Sequence, residues 1–184
     1  MSAARRLALA LGVLLAASAL GFADGRAQGL GGLGGGEGSL DIRAEEGIEW
    51  RRDTQVYIAR GNAQAVRGDL SLRADRLVAH YRESAGGGGS TEIHRVEAVG
   101  EVRVETPTET ARGDRGVFDL DRDVVVLTGA DLRLETGEER ITARDSLEYW
   151  AARNLAVARG NAVAVRGERR IRARVMTAHF AAGA

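Results

Sequence analysis

The chain has 184 residues, 44% of them hydrophobic, and pairs 26 basic with 26 acidic residues for a formal net charge of zero. That length carries one domain with a core of its own, and the charge balance excludes the basic surplus of a nucleic-acid binder. Cysteine is absent, so disulfides, thiolate metal ligands and a cysteine nucleophile are excluded as well.

At the N-terminus Arg5 and Arg6 precede an uncharged run from Leu7 to Ala23, with small residues at Gly21 and Ala23. A basic start, an apolar run and a small-residue step are the pattern of a cleaved Sec-type secretory signal, expected over residues 1–23. The run stands at the short limit for a membrane span, so an uncleaved anchor is the alternative. Export without any disulfide suits a bacterial periplasm. Residues 24–38 read as a glycine-rich flexible leader. Its formal GxGxxG, Gly29 to Gly34, has neither a strand before it nor a helix after it, so no dinucleotide site is expected.

From residue 39 to 181 the pattern is strand and turn throughout. Leu40 and Ile42 begin a first strand, and Ile48 and Trp50 continue the alternation. Tyr57, Ala59, Gly61, Ala63 and Ala65 share one parity and so one face. Because that parity survives Gly61, the glycine belongs inside a bent strand, with the hairpin tip at Arg67-Gly68-Asp69. The apolar parity then runs through Leu70, Leu72 and Ala74, and switches after Asp75-Arg76 to Leu77, Ala79 and Tyr81. One extra residue in a strand is a β-bulge, which bends it and increases its twist.

This unit recurs. Ile58 to Gly68 (IARGNAQAVRG) and Val157 to Gly167 (VARGNAVAVRG) are close copies, and two degenerate copies are marked by Gly100 and Gly129. Ala111 and Gly113 give way to Gly116, Phe118 and Leu120, and Ile171 and Ala173 to Met176, Ala178 and Phe180. In the third unit Val125 and Leu127 shift to Leu132 and Leu134, which puts the bulge beside Gly129. Each unit is a hairpin too small to bury its own apolar face, so the units must stack into one elongated core. The expected fold is an all-β, twisted and elongated β-jellyroll built from repeated antiparallel hairpins. Two exposed breaks are expected, a glycine loop from Ser84 to Thr91 and a tip at Thr106-Pro107-Thr108, which holds the only proline.

These residues resemble the LptA/OstA family of lipopolysaccharide-transport proteins. The match rests on Asp123-Val-Val-Val-Leu-Thr-Gly129 with the preceding Phe118-Asp-Leu120, on Gly61-Asn62, on the Leu72-Arg-Ala-Asp75 step, and on Val96-Glu-Ala-Val-Gly100 after the glycine loop. It covers roughly residues 40 to 181. The resemblance implies a jellyroll open at both ends, whose apolar groove holds the acyl chains of lipopolysaccharide. It implies carriers stacked head to tail, bridging an inner-membrane docking protein and an outer-membrane translocon across the periplasm. The chain departs from better-known relatives in carrying a fourth unit, Leu147 to Phe180, and no polar tail. An uncleaved anchor would make it the docking subunit of that system, and a filament without ligand is a further alternative.

An elongated apolar interior suits a container better than a catalyst. An apolar trough running end to end is expected, widened by Ala63, Ala65, Ala74, Ala79, Ala143, Ala162 and Ala164. The candidate lipid-binding residues are Leu40, Ile42, Trp50, Tyr57, Leu72, Phe118, Leu120, Leu134 and Tyr149. Leu40 and Ile42 lead, because the resemblance implies a ligand role for the matching strand. No catalytic, metal or cofactor site is expected. His80 and His179 hold equivalent positions in their repeats, and the calcium-like start at Asp119-Leu-Asp121-Arg-Asp123 has Val124 where a bending glycine is needed, so it reads as a turn. Unpaired strand edges at both ends invite strand addition.

Overall fold

Side chains that alternate apolar and polar fall on opposite faces of a strand, and the chain beyond Leu40 folds as that rule dictates. A computed structural model describes residues 40–83, 91–153 and 155–179. The predicted signal, the leader, the glycine loop at 84–90 and Phe180 lie outside the described residues. In chain order the strands are β1 (Asp41–Arg43), β2 (Gly47–Arg51), β3 (Val56–Arg67), β4 (Leu70–Glu83), β5 (Thr91–Glu105), β6 (Glu109–Asp119) and β7 (Val124–Thr128). They continue with β8 (Leu132–Thr136), β9 (Glu139–Ala143), β10 (Ser146–Trp150), β11 (Leu155–Arg166) and β12 (Arg169–His179). A single 3₁₀ turn at Ala151–Arg153 is the only helical element among the described residues. The all-β jellyroll expected from the repeats is the fold observed.

All the strands join one 12-stranded antiparallel sheet. The short strands work in pairs, each pair spanning one long neighbour. Thus β1 and β2 both lie on β3, β8 and β7 both lie on β6, and β9 and β10 both lie on β11. The ladders slip where each long strand bends: between Arg60 and Ala63 in β3, Arg73 and Arg76 in β4, Val99 and Val102 in β5, and Arg159 and Ala162 in β11. These slips line up from strand to strand and form a crease. The crease folds the sheet into two facing walls, one holding β1, β8 and β9 (the β1 wall) and the other β2, β7 and β10 (the β2 wall). In the third unit the bend is a full break: β7 stops at Thr128, and β8 begins at Leu132.

One device is repeated along the crease. Gly61, Gly100, Gly129 and Gly160 all have positive φ (75°, 83°, 139° and 83°), and each is covered by the acidic side chain of a neighbouring ribbon: Glu46, Asp75, Asp114 and Asp145. The left-handed backbone favours glycine, and the carboxylate fills the space a Cβ would need. Asp114 also accepts a hydrogen bond from the Ala130 backbone N–H at 2.7 Å. Two of the three broken ribbons are pinned alike. Glu45 N–H and Glu46 N–H donate to the carbonyls of Gly61 and Arg60 at 2.8 and 3.0 Å; Arg144 N–H and Asp145 N–H donate to those of Gly160 and Arg159 at 2.7 and 2.9 Å.

The two inner faces make the core. Leu72, Val104, Ala111 and Leu132 from the β1 wall meet Leu77, Val96, Phe118 and Leu127 from the β2 wall, and each is 2% exposed or less. A Cβ on Gly116 would lie 3.3 Å from Val102 Cγ1 on the facing wall and 3.0 Å from the Phe118 ring. The end-to-end trough expected from the sequence is therefore filled at its middle. Ala63, Ala65, Ala74, Ala79 and Ala162 are buried and leave no width; small side chains let the walls close until Leu and Phe from across take up the space.

Candidate functional site

Toward the ends of the sheet the inner faces run out of partners, and apolar side chains become accessible there. At the N-terminal edge Ile42 from β1 and Ile48 and Trp50 from β2 point inward by parity, opposite Ala65, Ala59 and Tyr57. Ile48 and Trp50 are each 50% exposed. At the other edge Met176 on β12 is partly buried against the core.

The nine candidates fall into two groups. Leu72 and Phe118 are completely buried at the centre, where a ligand reaches them only if the walls part. Leu40, Ile42, Tyr57, Leu120, Leu134 and Tyr149 pack against the core while keeping some solvent access, and Trp50 is exposed. Trp50 is nonetheless held in place. Its ring stacks on Tyr57 with centroids 5.7 Å apart, its Nε1–H donates to Tyr81 Oη at 2.8 Å, and the Arg52 guanidinium lies 4.1 Å over its outer face. Sequence reading missed Ile48, Ile141 and Met176. They share parity with Trp50, Ala143 and Ala178, so the signal was present in the alternation.

The inner face also carries carboxyl groups near the hairpin tips of the β1 wall. Glu109 on β6 and Glu139 on β9 both lie opposite Thr136 of β8 and share the parity of the core residues. Burial pushes the Glu109 carboxyl above its ordinary value. Burial also raises Glu139, partly offset by the charge of Arg166. Across the interior, burial and then the Glu109 charge raise the Tyr149 phenol. A carboxyl raised in the folded state binds more protons folded than unfolded, so its contribution to stability falls as pH rises from the unfolded value near 4.5 through the folded one. Glu139→Gln should therefore raise the Tm at pH 7 and leave it unchanged at pH 4, as followed by thermal unfolding at the two pH values.

His80 and His179 are equivalent, lying opposite Val56 and Leu155 on paired strands. His80 Nε2 stands 3.5 Å from Glu97 Oε1 on the outer surface. Asp119 to Asp123 form a turn, with Asp119 Oδ1 accepting from the Arg122 N–H at 3.0 Å. Among the described residues no cluster of three or more His, Asp or Glu could hold a metal ion.

A family model described as "LptA/(LptD N-terminal domain) LPS transport protein" matches residues 41–145. The chain belongs to this family. The match runs from β1 to the fourth crease acid, Asp145, and β10–β12 repeat the same pattern beyond it. An uncharacterized protein of Rhizobium meliloti (strain 1021) is 29% identical over 95 residues, 50% of each chain. The chain thus spans about half the length of the curated relative it matches. Among solved structures, LptH from Pseudomonas aeruginosa, described as the LptA homologous periplasmic component of the conserved lipopolysaccharide transport device, superposes with a TM-score of 0.58. It shares 15% sequence identity, and the match covers 78% of this chain and 96% of that one. At that identity the likeness speaks for the fold.

Proposed function

We propose that this chain is a periplasmic lipopolysaccharide carrier, exported by a cleaved signal over residues 1–23, that holds lipid A acyl chains against its inner walls. The observation that carries this reading is the set of inward-facing apolar side chains left accessible at the sheet ends, Ile42, Ile48 and Trp50 above all, on a chain of this family. Burying a methylene is worth about 0.8 kcal/mol, so one acyl chain of about ten such groups costs on the order of 8 kcal/mol in water. A lipid with several chains needs a lined path between membranes. The carrier has no catalytic task, and its partners are lipopolysaccharide, the inner-membrane docking protein and the outer-membrane translocon.

The sheet edges support a head-to-tail stack of copies. Among the described residues both β12 and the β1/β2 ribbon pair with one neighbour only, which leaves a row of backbone donors and acceptors for a further strand. The two edges run in the same direction, because β12 and the β1/β2 ribbon are separated by an even number of antiparallel steps, so a translated copy adds in parallel. Charge favours that contact over its rivals. β12 carries Arg169, Arg170, Arg172 and Arg174 and no acid, whereas the other edge sets Asp41, Glu45, Glu46 and Glu49 against Arg43 and Arg51 and is acidic on balance. Pairing β12 with β12 would face arginine with arginine, and an open heterologous contact extends into a filament.

The test is photo-crosslinking in cells. A photoreactive residue at Ile42 or Tyr149 should give a lipopolysaccharide adduct, while one at outward-facing Val126 should give none. Equal labelling at all three positions would sink the groove reading. A ligand-free scaffold is the second reading, favoured by the packed centre around Leu72 and Phe118; protein purified from membranes without any bound lipid would select it. Mass spectrometry of the mature N-terminus separates the cleaved carrier from the anchored docking subunit.

A further inference from the structure

On the outer face of the β1 wall, four arginines from four successive ribbons stand side by side. Arg73 of β4 lies directly opposite Arg103 of β5, Arg103 opposite Arg112 of β6, and Arg112 opposite Arg133 of β8. Their parity is opposite to that of the buried Leu72, Val104 and Ala111, so the row faces out. Directly opposed Cβ atoms are about 5 Å apart, and like charges there repel. The row spans three strand spacings, about 14 Å. Neighbouring acids neutralise it weakly. Arg103 Nε reaches Glu105 at 3.4 Å, and Arg133 reaches Asp131 at 3.2 Å and Glu135 at 3.9 Å. All of these are longer than a good charge-assisted bond of about 2.8 Å. Among the described residues Arg73 and Arg112 make no ion pair, and the Nε atoms of Arg112 and Arg133 are out of contact with solvent and have no hydrogen-bond partner.

We propose that this row is a binding track for a linear array of phosphate groups, such as those along a phosphorylated saccharide. Guanidinium groups pair with phosphate through two parallel N–H bonds, and an anion lying along the row turns mutual repulsion into shared attraction. Among the described residues the exposed large apolar side chains, Ile48, Trp50 and Val175, all belong to the β2 wall. The arginine row therefore has no apolar anchors beside it for insertion into a membrane surface. The site is on the outside of the wall and does not require lipid in the interior.

Isothermal titration of the chain with inorganic tripolyphosphate, with deacylated phosphorylated lipopolysaccharide saccharide and with the same saccharide dephosphorylated tests this. Both phosphorylated ligands should bind, more weakly as salt rises, and the dephosphorylated saccharide should not. A tighter grip on the saccharide would assign the track to a glycan, and equal or tighter binding of tripolyphosphate to free polyphosphate. Arg112→Gln/Arg133→Gln should weaken binding of both at least tenfold, while the ligand-free Tm stays level or rises because two facing cations are gone. Unchanged affinity in that variant, binding of the dephosphorylated saccharide, or no binding of any ligand would overturn the proposal. Photo-crosslinking from Ile42 in the same variant stays intact if only the track is lost, which separates its failure from that of the carrier reading.

Discussion

Phe118→Ala should cost the protein about 4 kcal/mol of stability, read as a fall in Tm of about 15 °C or a matching shift in the urea midpoint. The ring has no exposed surface and sits where the walls meet, with Gly116 and Val102 in van der Waals range of the same space. Removing it deletes the transfer energy of the ring and leaves a cavity lined by Val96, Val125 and Leu127 that rigid strands cannot collapse to fill. Leu120→Ala, two residues on and partly open to solvent, should cost less than about 1.5 kcal/mol. A loss below about 1 kcal/mol for Phe118→Ala would mean that the centre is not packed as described, and the walls would then be free to part along their whole length.

The crease should be nearly as sensitive. Gly100→Val is expected to lose about 4 kcal/mol, combining a branched side chain in left-handed backbone with an overlap against Asp75. At Gly100 φ is +83°, and an added Cβ would occupy the position of the Asp75 carboxylate. Gly167→Ala is the control for Gly100→Ala: its backbone is also left-handed, with φ +56°, but nothing lies within 4 Å of the added Cβ. It should cost only the backbone term, about 1 kcal/mol. Combining Gly100→Ala with Asp75→Ala should recover part of the loss of Gly100→Ala alone, because the two side chains compete for one space. Equal costs at Gly100 and Gly167 in chemical denaturation would show that the acid over the glycine contributes nothing.

Ion pairs on the outer surface should matter far less. Arg82 donates to Asp121 at 2.6 and 2.8 Å and also bonds Glu92, holding the Asp121 carboxyl below its ordinary range, yet all three side chains are about half exposed. Arg82→Ala is expected to leave the Tm nearly unchanged at physiological salt, as thermal unfolding would show, since solvent and salt screen such a pair.

Much of this architecture was readable in the alternation of residues. The parity of Tyr57, Ala59, Ala63 and Ala65 assigned a face, its survival across Gly61 placed a bend inside β3, and the switches after Ala74 and after Gly113 located the slips that form the crease. Two readings needed coordinates. One was the state of the interior: parity says which side chains face inward but carries no information about how far away the opposite wall lies. Most of the alanines that looked like spacers turned out to be buried. The other was the arginine row. Arg112 and Arg133 belong to different hairpins, and only the pairing of β6 with β8 sets them opposite one another.

The all-β class, the positions of the bends and the inner and outer faces are legible from residue order alone, because each of these follows from local backbone geometry and a period of two. The packed middle of the trough, its accessible ends and the distant charges that share a surface emerge only once the chain is folded. Those outcomes depend on the distance and register between segments far apart in the chain, which are fixed by packing summed over the whole sheet rather than by any one stretch of residues.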